Sequence, residues 1–133
     1  MSLLDVNLHD RQELKVLPDN EEVELRINRV EETPNKNNPE RTNLALVFDI
    51  PDEPTAEDIR VWIPIPTSDQ KAEDFKSYIR SVNRLGEFLD AFGFTPATDV
   101  ESMIGGRAWA ILREEENQMT GKMQNSVRRF LVR

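Results

Sequence analysis

IRVWIPIPTSDQKAEDFKSYIRSVNRLGEFLDAFGF, residues 59–94, changes its hydrophobic period midway, and that change decides the fold. From Ile59 to Ile65 the apolar Ile59, Val61, Ile63 and Ile65 alternate with Arg60, Trp62 and Pro64. Period two is the signature of a half-buried strand. Pro64 and Pro66 lack a ladder donor, so the end of this strand is expected at a sheet edge. From Ser68-Asp69 onward the period lengthens. Phe75, Tyr78, Ile79, Val82, Leu85, Leu89 and Phe92 recur at steps of three and four and form one helical stripe. Ser68 or Asp69 is expected to cap the start, Gly86 to mark a bend and Gly93 to stop the helix.

On the N-terminal side, Thr42–Ile50 alternates again, with Leu44, Leu46, Phe48 and Ile50 on one face. An acidic, proline-containing turn, PDEPTAED (51–58), joins it to the strand that follows. Glu22–Val30 alternates likewise, placing Val23, Leu25 and Ile27 inward and Glu24, Arg26 and Asn28 outward, and is expected to reach about Glu32. Between these two strands lies TPNKNNPER (33–41), a polar loop far longer than a tight hairpin needs. Residues 1–20 carry scattered apolar positions and end on the turn signal Leu17-Pro18-Asp19-Asn20. They read as an arm that packs on the domain.

On the C-terminal side, a short helical turn is expected over Asp99–Ile104, capped by Thr98 or Asp99. Gly105-Gly106 then releases the chain into a strand, Arg107–Arg113. A loop, Glu114–Gln124, and a last strand, Asn125–Val132, complete the chain. The order is three strands, one main helix, two strands. The expected fold is therefore all-β with one main helix, a five-stranded OB-fold barrel (β-β-β-α-β-β), with residues 1–20 as arm and 21–133 as the domain. A generic α+β sandwich is the alternative.

The 133 residues are enough for one modest core. With no cysteine, disulfides, thiolate metal sites and cysteine nucleophiles are excluded. No apolar run approaches the ~18–20 residues of a membrane span. The start, MSLLDVNLHDRQELK, carries acids where a signal peptide has a basic region, so a cytoplasmic location is expected. There is no glycine-rich phosphate loop, nucleophile elbow or metal-ligand spacing. The single His9 reads as a solvated side chain. An enzyme, a metal or a cofactor is not expected.

Charge is uneven. The chain is net −8, yet residues 105–133 hold six Lys/Arg against three Asp/Glu, while residues 1–104 hold 11 against 22. Such asymmetry hints at a surface facing a polyanion. Trp62 is the most suggestive residue, because the alternation that buries Val61 and Ile63 turns it outward beside Arg60. An indole and a guanidinium on one face can stack a base and hold a phosphate. The opposing reading has the helix or the arm cover Trp62. Trp109 shares a face with Arg107, Ile111 and Arg113, and Ile111 beside it favours packing in the core. The two long loops contribute Lys36 and Arg41, and Lys122. Arg26 faces outward on the first strand. Arg128 and Arg129, being adjacent, are expected on opposite faces of the last strand, with Phe130 on the Arg128 face. A core position for Phe130 is the plainer reading.

These elements also resemble a known family. LPDNEEVELRINRVEETPN, TNLALVFDIPD, the helix end FLDAFGF followed by TDVESMIGGRAWAIL, and the closing Gly121…Asn125-Ser-Val127-Arg-Arg-Phe130-Leu131 are similar to the phage-encoded single-stranded-DNA-binding proteins of OB fold. Asn20-Glu21 departs from the family by standing where a glycine is usual. The resemblance implies sequence-nonspecific binding of single-stranded DNA in phage replication or recombination, in the host cytoplasm, with replication or recombination proteins as further partners. Base stacking would fall to Trp62 with Trp109 or Phe130, and phosphate contacts to Arg26, Arg60, Lys36, Arg41, Lys122 and Arg128. The rival reading is an OB-fold interaction or self-assembling module with no nucleic-acid role. Homo-oligomers suit both, since open strand edges pair readily.

Overall fold

The computed structural model describes residues 7–133. Leu3, Leu4 and Val6 of the expected arm lie outside the described residues. Five strands, β1 (Glu22–Pro34), β2 (Thr42–Asp49), β3 (Ile59–Pro64), β4 (Arg107–Glu116) and β5 (Met123–Leu131), form one antiparallel sheet in the order β3-β2-β1-β4-β5. β3 and β5 are the open edges, and residues of the two come within 8 Å of each other without forming a ladder. The protein is thus mostly β with one main helix.

The inward face follows from the alternation. Val23, Leu25 and Ile27 of β1, Leu44, Leu46 and Phe48 of β2, Ile59, Val61 and Ile63 of β3, and Ala110 and Leu112 of β4 are buried together. The expected single helix is two. Asp74 breaks it, leaving α1 (Ser68–Glu73) and α2 (Phe75–Phe92). The Asp74 carboxylate accepts the Ser77 N–H, which makes it an N-cap in mid-sequence. At the first start Thr67, rather than Ser68 or Asp69, caps by accepting the Gln70 N–H. α2 runs through Gly86 without interruption and ends at Gly93 in the left-handed conformation, as expected of a C-terminal glycine.

Only the C-terminal half of the helical stripe docks. Phe88 and Leu89 are buried, with Leu85 and Phe92 packed against the core, while Phe75, Ile79 and Val82 stay exposed. The core therefore centres on an aromatic cluster, with Phe92 4.9 Å from Phe88, 5.8 Å from Phe48 and 5.9 Å from Phe130 between ring centroids. Spacings of this kind suit offset and edge-to-face aromatic pairs. The expected turn over residues 99–104 is a 3-10 turn, Val100–Met103, capped by Asp99. At Gly106 a Cβ would meet the Phe94 ring at 2.9 Å, so only glycine lets the chain pass this close into β4.

The arm crosses from one edge to the other. Lys15 exchanges backbone hydrogen bonds with Thr55 and Glu57 just before β3, and Leu17 exchanges two with the side chain of Asn125 on β5. Leu17 is buried and Val16 partly so, whereas Leu8 and Leu14 are exposed, so only the end of the arm packs its apolar side chains among the described residues. Asn20 adopts a φ of 66°, the conformation that a glycine takes most easily and that asparagine tolerates best among the rest.

Candidate nucleic-acid interface

On the outer face of the sheet, register decides which side chains meet. Ala45 pairs with Glu31 across β1–β2 and with Trp62 across β2–β3. One step along the same face, Val47 pairs with Arg29 on β1 and Arg60 on β3. Two guanidinium-bearing positions thus flank a small apolar floor, roughly 10 Å apart at two strand spacings. Among the described residues neither Arg29 nor Arg60 has a carboxylate within ion-pair distance. Trp62 is 59% exposed, and neither helix nor arm covers it.

Trp62 and Thr33 wall two adjoining depressions. One holds Arg29, Glu31, Ala45, Val47 and Arg60. The other, about 470 Å³, is lined by Pro34, Asn35, Lys36, Asn37 and Asn43. Together they form one groove with cations at both ends and an indole in the middle. The loop that carries Lys36 is held in shape: the Asn35 side-chain oxygen accepts the N–H groups of Asn37 and Asn38, and Asn35 and Arg41 close the loop through their backbones. Glu31 places one carboxylate inside the groove and opposes an anion there.

Three of the nine residues singled out from sequence, Trp62, Arg60 and Lys36, come together here. The others do not join them. Arg26 is bound in a two-pronged pair to Asp49, its register partner, and that hydrogen bond raises its pKa above the ordinary value. Arg41 turns to Glu73 at 3.3 Å. Lys122 lies in the β4–β5 turn and does not line the groove.

Arg128 is the extra residue of a bulge in β5, where Ile111 pairs with Arg129 but Leu112 pairs with Val127. The bulge corrects two expectations. Arg128 and Arg129 are both exposed rather than opposed, and Phe130 shares the core face with Val127 instead of the face of Arg128. Phe130 is 3% exposed and cannot receive a base in this conformation. Arg128 pairs with Asp19 at 3.1 Å.

Trp109 is not in the core as its neighbour Ile111 had favoured. Ala108, Ala110 and Leu112 face inward, and Trp109 lies half-buried on the outer face with the Arg133 guanidinium 4.1 Å from its ring centroid. Its register partner on β1 is Glu24, seven residues from Glu31, so it sits roughly 20 Å along the strand from the level of Trp62.

The residue that sequence reasoning missed is Arg29. Strict alternation from Val23 puts it on the buried face. A bulge at Asn28 shifts the register, since Ile27 pairs with Phe48 and Arg29 with Val47. Arg29 is thereby turned outward and Val30 inward. The signal was present in Val30, an apolar residue one step out of phase with Ile27.

Among the described residues no cluster of His, Asp and Glu has the geometry to hold a metal, and no helix is long and apolar enough to cross a membrane. The chain matches no known family model and no curated protein.

Proposed function

We propose that this chain binds single-stranded DNA without sequence specificity, as a phage-type protein of replication or recombination built on an OB barrel. The observation that carries the reading is Trp62, an open indole with Arg29 and Arg60 beside it and, among the described residues, no acid paired to either. A base stacked on Trp62 would contribute ~1–3 kcal/mol. Its flanking phosphates would meet Arg29 and Arg60 on one side and Lys36 on the other. The strand order β3-β2-β1-β4-β5, with β3 and β5 close, supports a barrel, and OB barrels bind on the face of their second and third strands. The protein acts as a holder of the strand in the host cytoplasm, not as an enzyme.

Three phosphate contacts give an expected slope of about −2 in log K against log salt. The net charge of −8 further weakens association and disfavours duplex. One observation favours a second reading. Residues 1–104 hold twice as many acids as bases, and an exposed indole can equally anchor a basic protein partner.

The test is a titration with oligo-dT of about 30 nucleotides at low and near-physiological salt, with a duplex control. Saturable, salt-sensitive tryptophan quenching with weak duplex binding supports the proposal. Absence of binding at low salt rejects it in favour of the protein-partner reading.

A further inference from the structure

The N-terminal half of the α2 stripe is left uncovered by the described residues. Phe75 is 57% exposed, Ile79 38% and Val82 37%. With Gly86 they fall at steps of four, three and four, the spacing of a seam between two helices. Gly86 is the least expected member. A glycine inside a helix destabilises it relative to alanine. Yet a Cβ at Gly86 would meet nothing within 4 Å, so no neighbour among the described residues requires the small residue.

We propose that this stripe is an antiparallel interface between two copies of the chain, an inference that stands apart from nucleic-acid binding. Laid antiparallel about a two-fold axis near residues 80 and 81, the stripe is complementary to itself. Ile79 opposes Val82, and Phe75, the largest side chain, opposes Gly86, where the space is open. A large knob meets a hole at each end of the seam.

Charge agrees with that direction. The N-terminal half of α2 carries Lys76 and Arg80, both exposed and without an ion-pair partner among the described residues. The C-terminal half carries the exposed Asp90, unpaired among the described residues, while its Glu87 is engaged with Arg84 and the Phe130 N–H. Acids near the first half are already engaged, Asp74 as the helix cap and Glu73 with Arg41. Antiparallel packing sets the basic half of one helix along the acidic half of the other, and it opposes the two helix dipoles favourably. A parallel arrangement would set like charges together and Phe75 against Phe75.

Sedimentation of the full chain tests this. The expected result is a concentration-dependent mass of twice 15.4 kDa. Ile79→Glu weakens the association by about tenfold or more with the far-ultraviolet spectrum unchanged. Gly86→Leu does the same by filling the hole, and it leaves the monomer folded because the site is open. Lys76→Glu with Arg80→Glu also weakens it. A single-chain mass at every concentration overturns the proposal, as does a dimer that survives Ile79→Glu or Gly86→Leu. A dimer strengthened by the charge variant overturns the antiparallel direction.

Discussion

The carboxylate of Glu87 accepts the backbone N–H of Phe130 at 2.6 Å, so a helix side chain stands where β5 has no neighbouring strand. Arg84, one turn earlier, completes the arrangement by donating to the Val127 carbonyl at 3.0 Å and covering the Phe130 ring at 5.0 Å. Burial pushes the pKa of Arg84 below its ordinary value, and the charge of Glu87 opposes that shift. An exposed edge is a template for unwanted pairing. Here two side chains of α2 occupy part of it and join helix to sheet at the same point.

Glu87→Ala removes the acceptor of a half-buried N–H and the partner of Arg84 together. The expected loss is about 2–3 kcal/mol, while Glu87→Gln, which keeps an acceptor, loses about 1 kcal/mol. Urea unfolding of the three proteins gives the comparison. An alanine variant as stable as the parent would show that the contact contributes nothing net.

Trp62→Ala is expected to weaken oligo-dT binding by ~1–3 kcal/mol. The urea midpoint should hardly move, because the ring is mostly in solvent. Trp109→Phe should leave both the affinity and the quenching in place, since that ring lies under Arg133 and away from the groove. Quenching that persists in Trp62→Ala and vanishes in Trp109→Phe would move the site to β4.

Arg29→Ala should flatten the salt dependence of binding by about 0.7 in slope. Arg26→Ala, three residues earlier, should leave the slope as it is, because Asp49 already neutralises that guanidinium. Equal changes for the two variants would mean that the groove does not separate paired from unpaired cations.

Asp19 predicts a pH effect. Its carboxylate accepts the Glu114 N–H and pairs with Arg128, and these hold its pKa below the ordinary value. A depressed native pKa means stabilisation that is present above the unfolded value of about 3.9 and lost as pH falls through the lower native one. The parent should therefore lose more stability than Asp19→Asn between about pH 5 and pH 2. Urea midpoints across that range, taken as a difference between the two proteins, isolate the group. Parallel curves would remove Asp19 from the account.

Much of this architecture was legible from period alone. Apart from the break at Asn28, the strand faces from Val23 to Ile63 follow the two-residue alternation, and β1 to β5 begin within two residues of their expected starts. What periodicity could not carry was an inserted residue. Both bulges, at Asn28 and at Arg128, put a residue on a face that strict alternation denies it. The helix stripe was read correctly as apolar, but amphipathicity does not say what covers it, and only the half near Phe88 is covered. The candidate site was legible at Trp62 because its neighbours Val61 and Ile63 leave no alternative face. For Arg26, Arg41 and Arg128 sequence gave charge without its partner. Asp49, Glu73 and Asp19 lie 23, 32 and 109 residues away, and only the folded register brings them in.

The bulge at Asn28 has a bearing on how such a surface can change. Deleting that one residue would restore strict alternation with Ile27 and Val30 still inward and Arg29 still outward, so the loss of Asn28 exchanges no side chain between faces. The cation would keep its place in the groove and the valine its place in the core. A single codon can thus be lost from β1 at this position with every groove contact kept, a tolerance that the strictly alternating stretch from Val23 to Ile27 does not share.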